Sequence, residues 1–183
     1  MRLKSPILIN SLYLFFSLLW LNSCGLFTFS GVALSPDIKT FSVKSFYTEV
    51  SEGPTDMTQK LTEKLESKIL RMTTLTKEEK DGDIQYEGVI KSFAYRTAFS
   101  TKDKGDYSSG DNNPKEVQRL TITIEVSYLN PADEDSSFKK KQFSASADIF
   151  SNENQLEKEP LLIEEIFCQL VDDICNKSIE DNW

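Results

Sequence analysis

Residues 119–129, RLTITIEVSYL, alternate without a break, with Leu120, Ile122, Ile124, Val126 and Tyr128 on one parity and Thr121, Thr123, Glu125 and Ser127 on the other. A period of two sends the two sets to opposite faces of a β-strand, one suited to a core and the other to water or a polar partner. Residues 138–150, FKKKQFSASADIF, repeat the pattern with Phe143, Ala145, Ala147 and Ile149 inward and Lys140, Gln142, Ser144, Ser146 and Asp148 outward. The intervening NPADEDSS supplies turn-forming residues, so the two strands read as hairpin-connected. A first strand is predicted over 38–47, IKTFSVKSFY, with Phe41 and Val43 on one face. In 81–99, DGDIQYEGVIKSFAYRTAF, Ile84 and Tyr86 share a parity while Val89, Phe93 and Tyr95 take the other, which predicts a bulge near Gly88.

Elsewhere the spacing of apolar residues changes to three and four. Met57, Leu61, Leu65, Ile69 and Met72 predict an amphipathic helix over 55–73, with Lys60, Lys64 and Lys68 along another side. Leu162, Ile163, Ile166, Phe167, Leu170, Val171 and Ile174 predict a final helix with Pro160 near its first turn. The order is therefore β-α-β-β-β-α. Elements apolar on one side bury that side as an α+β two-layer sandwich, two helices packed on one face of a four-stranded mixed sheet. The helical crossover makes the first two strands parallel where they are adjacent. The far face of the sheet is written in Thr, Ser, Gln, Glu and Lys. A hydrated antiparallel sheet satisfies such a face, and so does the polar lumen of a large β-barrel. Between strands, 100–116 (STKDKGDYSSGDNNPKE) reads as a polar loop, and the spacing of Asp103, Asp106 and Asp111 does not match a calcium-binding loop.

The amino terminus departs from both periods. Arg2 and Lys4 precede PILINSLYLFFSLLWL, whose 16 residues, Pro6 to Leu21, fall short of the roughly 20 that span a bilayer. A positive start and a short apolar run read as a secretory leader. It ends in Leu21-Asn22-Ser23-Cys24, which resembles the bacterial lipobox. That resemblance implies cleavage between Ser23 and Cys24 and attachment of a diacylglyceryl group to the Cys24 thiol. An unmodified cysteine or an uncleaved anchor are the alternatives. The expected organisation is a signal peptide over 1–23, a lipidated tether over 24–36, and a single domain over 37–183. Gly25 follows the cysteine in place of the aspartate that often retains such proteins at the inner membrane, so the expected location is the outer membrane. With no acidic run after Cys24, a periplasm-facing body is favoured.

Composition narrows the chemistry. Loss of Arg2 and Lys4 with the leader takes the formal charge from −8 to −10, a balance that opposes nucleic acid and anionic membrane faces except at local basic patches. The chain has no histidine, which removes histidine-activated nucleophiles and histidine metal sites. Of the carboxylates, Glu164 with Glu165 and Asp172 with Asp173 lie eight apart on the polar side of the final helix, a solvated face and not a converging catalytic pair. Cys168 and Cys175 are separated by about 10 Å of helical rise, too far for a disulfide, and read as small core residues; a partly exposed thiol at Cys175 is the alternative. No cofactor or metal is expected. The candidate residues for a phosphate-contacting patch are Lys139, Lys140 and Lys141, with Lys91 and Arg96 on a neighbouring strand; strict alternation turns Lys140 away from its two neighbours. Lysines guarding a strand against edge pairing are the competing reading.

CGLFTFSGVALSPDIKTFSVKSF, GDIQYEGVIKSF, QRLTITIEVSY and the final LLIEEIFCQLVDDICNKSIEDNW resemble, in that order, the LptE lipoproteins of the Bacteroidetes type. The resemblance runs from Cys24 to Trp183. It implies a non-enzymatic lipoprotein that plugs the outer-membrane barrel LptD, helps it assemble, and assists delivery of lipopolysaccharide to the outer leaflet. A periplasm-facing lipoprotein serving as adaptor in another envelope complex is the alternative.

Overall fold

The computed structural model describes residues 34–100, 115–150 and 154–180, all within the unit Val32–Trp183. In chain order the elements are β1 (Thr40–Val43), β2 (Tyr47–Thr48), α1 (Met57–Met72), β3 (Thr76–Lys77), β4 (Ile84–Ser100), β5 (Lys115–Leu129), β6 (Phe138–Phe150) and α2 (Gln155–Cys175), which runs into a π-helical turn, Asn176–Glu180. The sheet order is β3-β1-β4-β5-β6, with β2 beside β4 beyond the end of β1. Pairing is parallel from β3 through β4 and antiparallel from β4 through β6.

The class is mixed α+β, with both helices packed on one face of a mixed sheet. The described residues hold six strands, not four. Two differences account for this. The first expected strand is cut in two because Phe46 turns inward, its N–H donating to Thr62 Oγ1 of α1 at 3.1 Å. The other addition, β3, is a two-residue strand paired with β1, too short for any period to reveal.

The bulge lies at Lys91, between the Ile90 and Ser92 pairings, and not near Gly88. Gly88 keeps the inward parity of Ile84, Tyr86 and Ile90, and the Phe46 ring fills the space its side chain would take. Val89 therefore faces away from the helices, opposite Tyr47 of β2, and does not share a face with Phe93.

One core joins the layers. Phe41, Ile84, Ile90, Leu120, Ile122 and Ile124 from the sheet meet Leu61, Leu65, Ile69, Ile166, Phe167 and Leu170 from the helices. Burial of each such side chain contributes about 1.5–3 kcal/mol. α2 starts at Gln155, more than a turn before Pro160, because Asn154 caps it by accepting the Leu156 N–H at 3.1 Å. Proline at the sixth helical position removes one backbone bond there. Cys175 is buried, whereas Cys168 is exposed, with Lys64 Nζ 3.3 Å from its sulfur. Cys168 is therefore not the core residue that the heptad spacing suggested, and Cys175 is.

Three tyrosines occupy the inward face. The Ser178 hydroxyl donates to the Ile174 carbonyl at 2.7 Å, so Tyr86 donates to Ser178 at 2.9 Å. Tyr95 donates to Glu159 at 2.7 Å. Burial pushes the Tyr128 hydroxyl up to about 12 and holds those of Tyr86 and Tyr95 above the ordinary tyrosine value. These raised values favour the folded state fully below the unfolded value near 10, and that contribution falls as pH rises through the folded values. For Tyr128 the loss reaches about 3 kcal/mol once pH has passed its folded value, and roughly half of that at pH 11. Denaturant unfolding at pH 8 and pH 11 should show a clear loss at the higher pH, and equal midpoints would contradict it.

Candidate functional site

The face of the sheet opposite the helices carries the polar residues of the alternating strands. Thr121, Thr123, Glu125 and Ser127 of β5 lie beside Ser146, Ser144, Gln142 and the start of β6. Thr123 and Ser144 hydroxyls bond at 3.0 Å. Arg119 donates twice to Asp148, at 2.6 and 2.8 Å, a forked pair that fixes β5 against β6. Toward the other edge Lys91 pairs with Glu49, and Lys44 lies 3.6 Å from Glu87. The face is a hydrogen-bonding surface with paired charges.

The five basic candidates do not converge. Cys24 and Ser23 lie outside the described residues. Lys91 projects from the bulge and spends its charge on Glu49, whose carboxylate holds the ammonium above the usual lysine range. Arg96 stands opposite Arg119 in the β4–β5 register, eight residues along β5 from Ser127, or about 26 Å. Lys141 lies 5.9 Å from the ring centres of both Phe138 and Phe143, a cation–π contact that turns it toward the helix side.

Lys139 and Lys140 are brought together by a bulge that strict alternation did not foresee. The β5–β6 register shifts between Val126 and Tyr128, so that both lysines oppose Ser127. Lys140 takes a left-handed backbone, φ 52°, and its N–H donates to Ser127 Oγ at 3.2 Å. Both line a cleft of about 950 Å³ at this end of the polar face. Its walls add Lys44 and Lys80, which carried no sequence signal, along with Glu79, Asp81 and Glu87. Four cations therefore share the cleft with three carboxylates, Lys44 facing Glu87, and with Val43, Tyr86, Tyr128, Leu129 and Phe138.

Two carboxylates of α2 are engaged in packing the helices together. Lys64 of α1 pairs with Glu164 of α2, and Lys68 with Asp172 at 2.7 Å, so one member of each acidic pair stitches the helices together. Among the described residues no group of three or more His, Cys, Asp or Glu side chains is placed to hold a metal ion, and no helix is long and apolar enough to cross a membrane.

The LptE family model, described as lipopolysaccharide-assembly, matches residues 38–178, from just before β1 into the π-helical turn. The chain belongs to the LptE family. LptE proteins are non-enzymatic, and the family places this chain among lipopolysaccharide-assembly proteins. No curated protein matches the sequence. Similar solved structures include the hypothetical protein CT253 from Chlamydia trachomatis, 8% identical, covering 77% of this chain and 98% of that one with a TM-score of 0.49. The rare lipoprotein B from Shewanella oneidensis is 15% identical over 74% of this chain and 91% of its own, TM-score 0.42. Protein XCC0632 from Xanthomonas campestris is 10% identical over 78% and 88%, TM-score 0.46.

Proposed function

We propose that this LptE-family protein is a lipoprotein held at the outer membrane by acyl chains on Cys24, with 1–23 removed as a signal peptide, 24–36 serving as tether and 37–183 as one folded domain. The domain sits in the lumen of the LptD barrel as a plug, helps that barrel assemble, and assists passage of lipopolysaccharide to the outer leaflet. Family membership over 38–178 carries the reading. The polar face of the sheet, which no described element covers, supports it, since a barrel lumen is lined by polar side chains that such a face can hydrogen-bond. Affinity purification of the full chain from detergent-solubilised outer membranes is expected to recover a large lipopolysaccharide-transport barrel. Recovery of a different envelope complex without that barrel would favour the adaptor reading.

Within this reading, direct contact with lipopolysaccharide falls to Lys139 and Lys140, whose cleft also holds Lys44 and Lys80. Lys91 and Arg96 would meet glycolipid elsewhere on the same sheet, and Lys141 contributes by bracing Phe138 and Phe143. A charge-assisted hydrogen bond to phosphate is worth about 1.5–3 kcal/mol, so Lys139→Ser with Lys140→Ser should weaken glycolipid binding at least tenfold. Unchanged affinity removes both residues from the contact. Lys141→Ser should instead lower stability and leave affinity near that of the parent.

A further inference from the structure

We infer that Arg96 and Arg119 form an anion site on the polar face of the sheet that takes a phosphate group of lipopolysaccharide, a site that presupposes the reading above that the chain meets this glycolipid. The two arginines are direct partners in the β4–β5 register. Tyr95 and Leu120, the pair beside them, pack toward the core, so both arginines face away from the helices. Like charges set opposite each other across strands weaken a sheet. Acids are in excess along the chain, 29 against 21 basic residues, yet Arg96 stays exposed, with no ion pair or side-chain hydrogen bond among the described residues. A like-charge contact left uncompensated in an acidic protein points to an anion from outside the chain.

The surroundings suit a phosphate joined to a sugar. The forked bond to Asp148 uses two of the five guanidinium N–H donors of Arg119 and fixes its plane, leaving three for a further acceptor. Arg96 adds five more, and two guanidiniums against one carboxylate leave a net positive charge. Planar forks of this kind match the oxygens of a phosphate. On one side of the arginines the next row across the strands is Ala94, Thr121 and Ser146, which offers hydroxyls to a sugar. On the other side it is Ala98, Val117 and Phe150. Val117 is 1% exposed, so water is excluded from that flank and attraction between charges beside it is strengthened. Arg119 lies about 26 Å along β5 from Ser127, which lines the cleft of Lys139 and Lys140, so one phosphate cannot touch both places.

The test compares the full-length chain with Arg96→Gln, both processed in cells and extracted in detergent, for binding of lipopolysaccharide and of the same lipopolysaccharide after alkaline phosphatase treatment. Arg96→Gln should bind the intact glycolipid at least tenfold more weakly and the dephosphorylated one as the parent does. Without glycolipid it should melt up to about 3 °C higher, because a like-charge contact has been removed. A tenfold loss that persists after dephosphorylation, or a lower melting temperature, overturns the inference. Equal affinity of variant and parent for the intact glycolipid overturns it while leaving the glycolipid reading standing, whereas a parent that binds no lipopolysaccharide overturns both. A variant that loses the barrel partner but keeps its glycolipid affinity would assign Arg96 to the barrel wall, and that too overturns the inference.

Discussion

Cys24→Ala should leave the leader uncut and the chain without acyl groups, and mass spectrometry of the purified polypeptide should find Met1 at its start and no added lipid. The parent should begin at Cys24 and carry at least two acyl chains. Each buried methylene contributes about 0.8 kcal/mol, so one chain anchors reversibly and two or more anchor durably. Removing them is therefore the largest change a single substitution makes to where this protein resides. In the variant any remaining membrane attachment runs through 6–21, and recovery of the barrel partner should fall at least tenfold because the body is no longer delivered to the outer membrane. A parent whose first residue lies elsewhere, or which bears no lipid, would overturn the proposed location.

Gly82→Ala should destabilise the domain by about 3 kcal/mol, the upper end for overpacking. A Cβ at Gly82 would lie 2.5 Å from the Phe41 carbonyl carbon and 2.6 Å from the Ser42 nitrogen. Both are backbone atoms, so no rotamer change relieves the contact. The site is also where β1 is fastened to β4. Gly82 N–H donates to Ser42 Oγ at 3.2 Å, Asp83 accepts the Lys39 and Thr40 N–H groups at 2.8 and 2.9 Å, and Asp83 N–H donates back to Thr40 Oγ1. Those backbone bonds hold the Asp83 carboxyl below its ordinary value, so its contribution is present at neutral pH and is lost on acidification. For a domain of this size the expected shift is roughly 10 °C in melting temperature. Gly88→Ala should cost less, because the atom it meets, at 2.3 Å, belongs to the Phe46 ring, which can swing. Equal melting of Gly82→Ala and the parent would contradict the assignment of this junction as rigid.

Much of the fold was legible because its signals are periodic. The alternation of β5, that of β6 from Gln142 onward, and the three-and-four spacing of both helices survive in the structure. What could not be read was set by contacts distant in the chain. The parity break in β4 is real, yet it arises from Phe46 occupying the space beside Gly88 and from a bulge at Lys91. The division of the first strand depends on Thr62, sixteen residues away in α1. The same holds for the basic residues. Five were visible as lysines and an arginine on strands, but grouping Lys139 and Lys140 with Lys44 and Lys80 requires the β5–β6 bulge and the β3–β4 connection. Strict alternation failed at Lys140 because a left-handed residue resets the parity.

The division of the sheet into a parallel and an antiparallel half bears on how the chain comes to be folded. β4, β5 and β6 are joined by successive reversals, whereas Phe41 is flanked by Lys77 of β3 and Ile84 of β4, both reached only after the whole of α1 has been made. Separation along the chain slows closure. The first strand of the domain is thus among the last to be satisfied, and until β4 is in place its apolar edge stays open to wrong pairings.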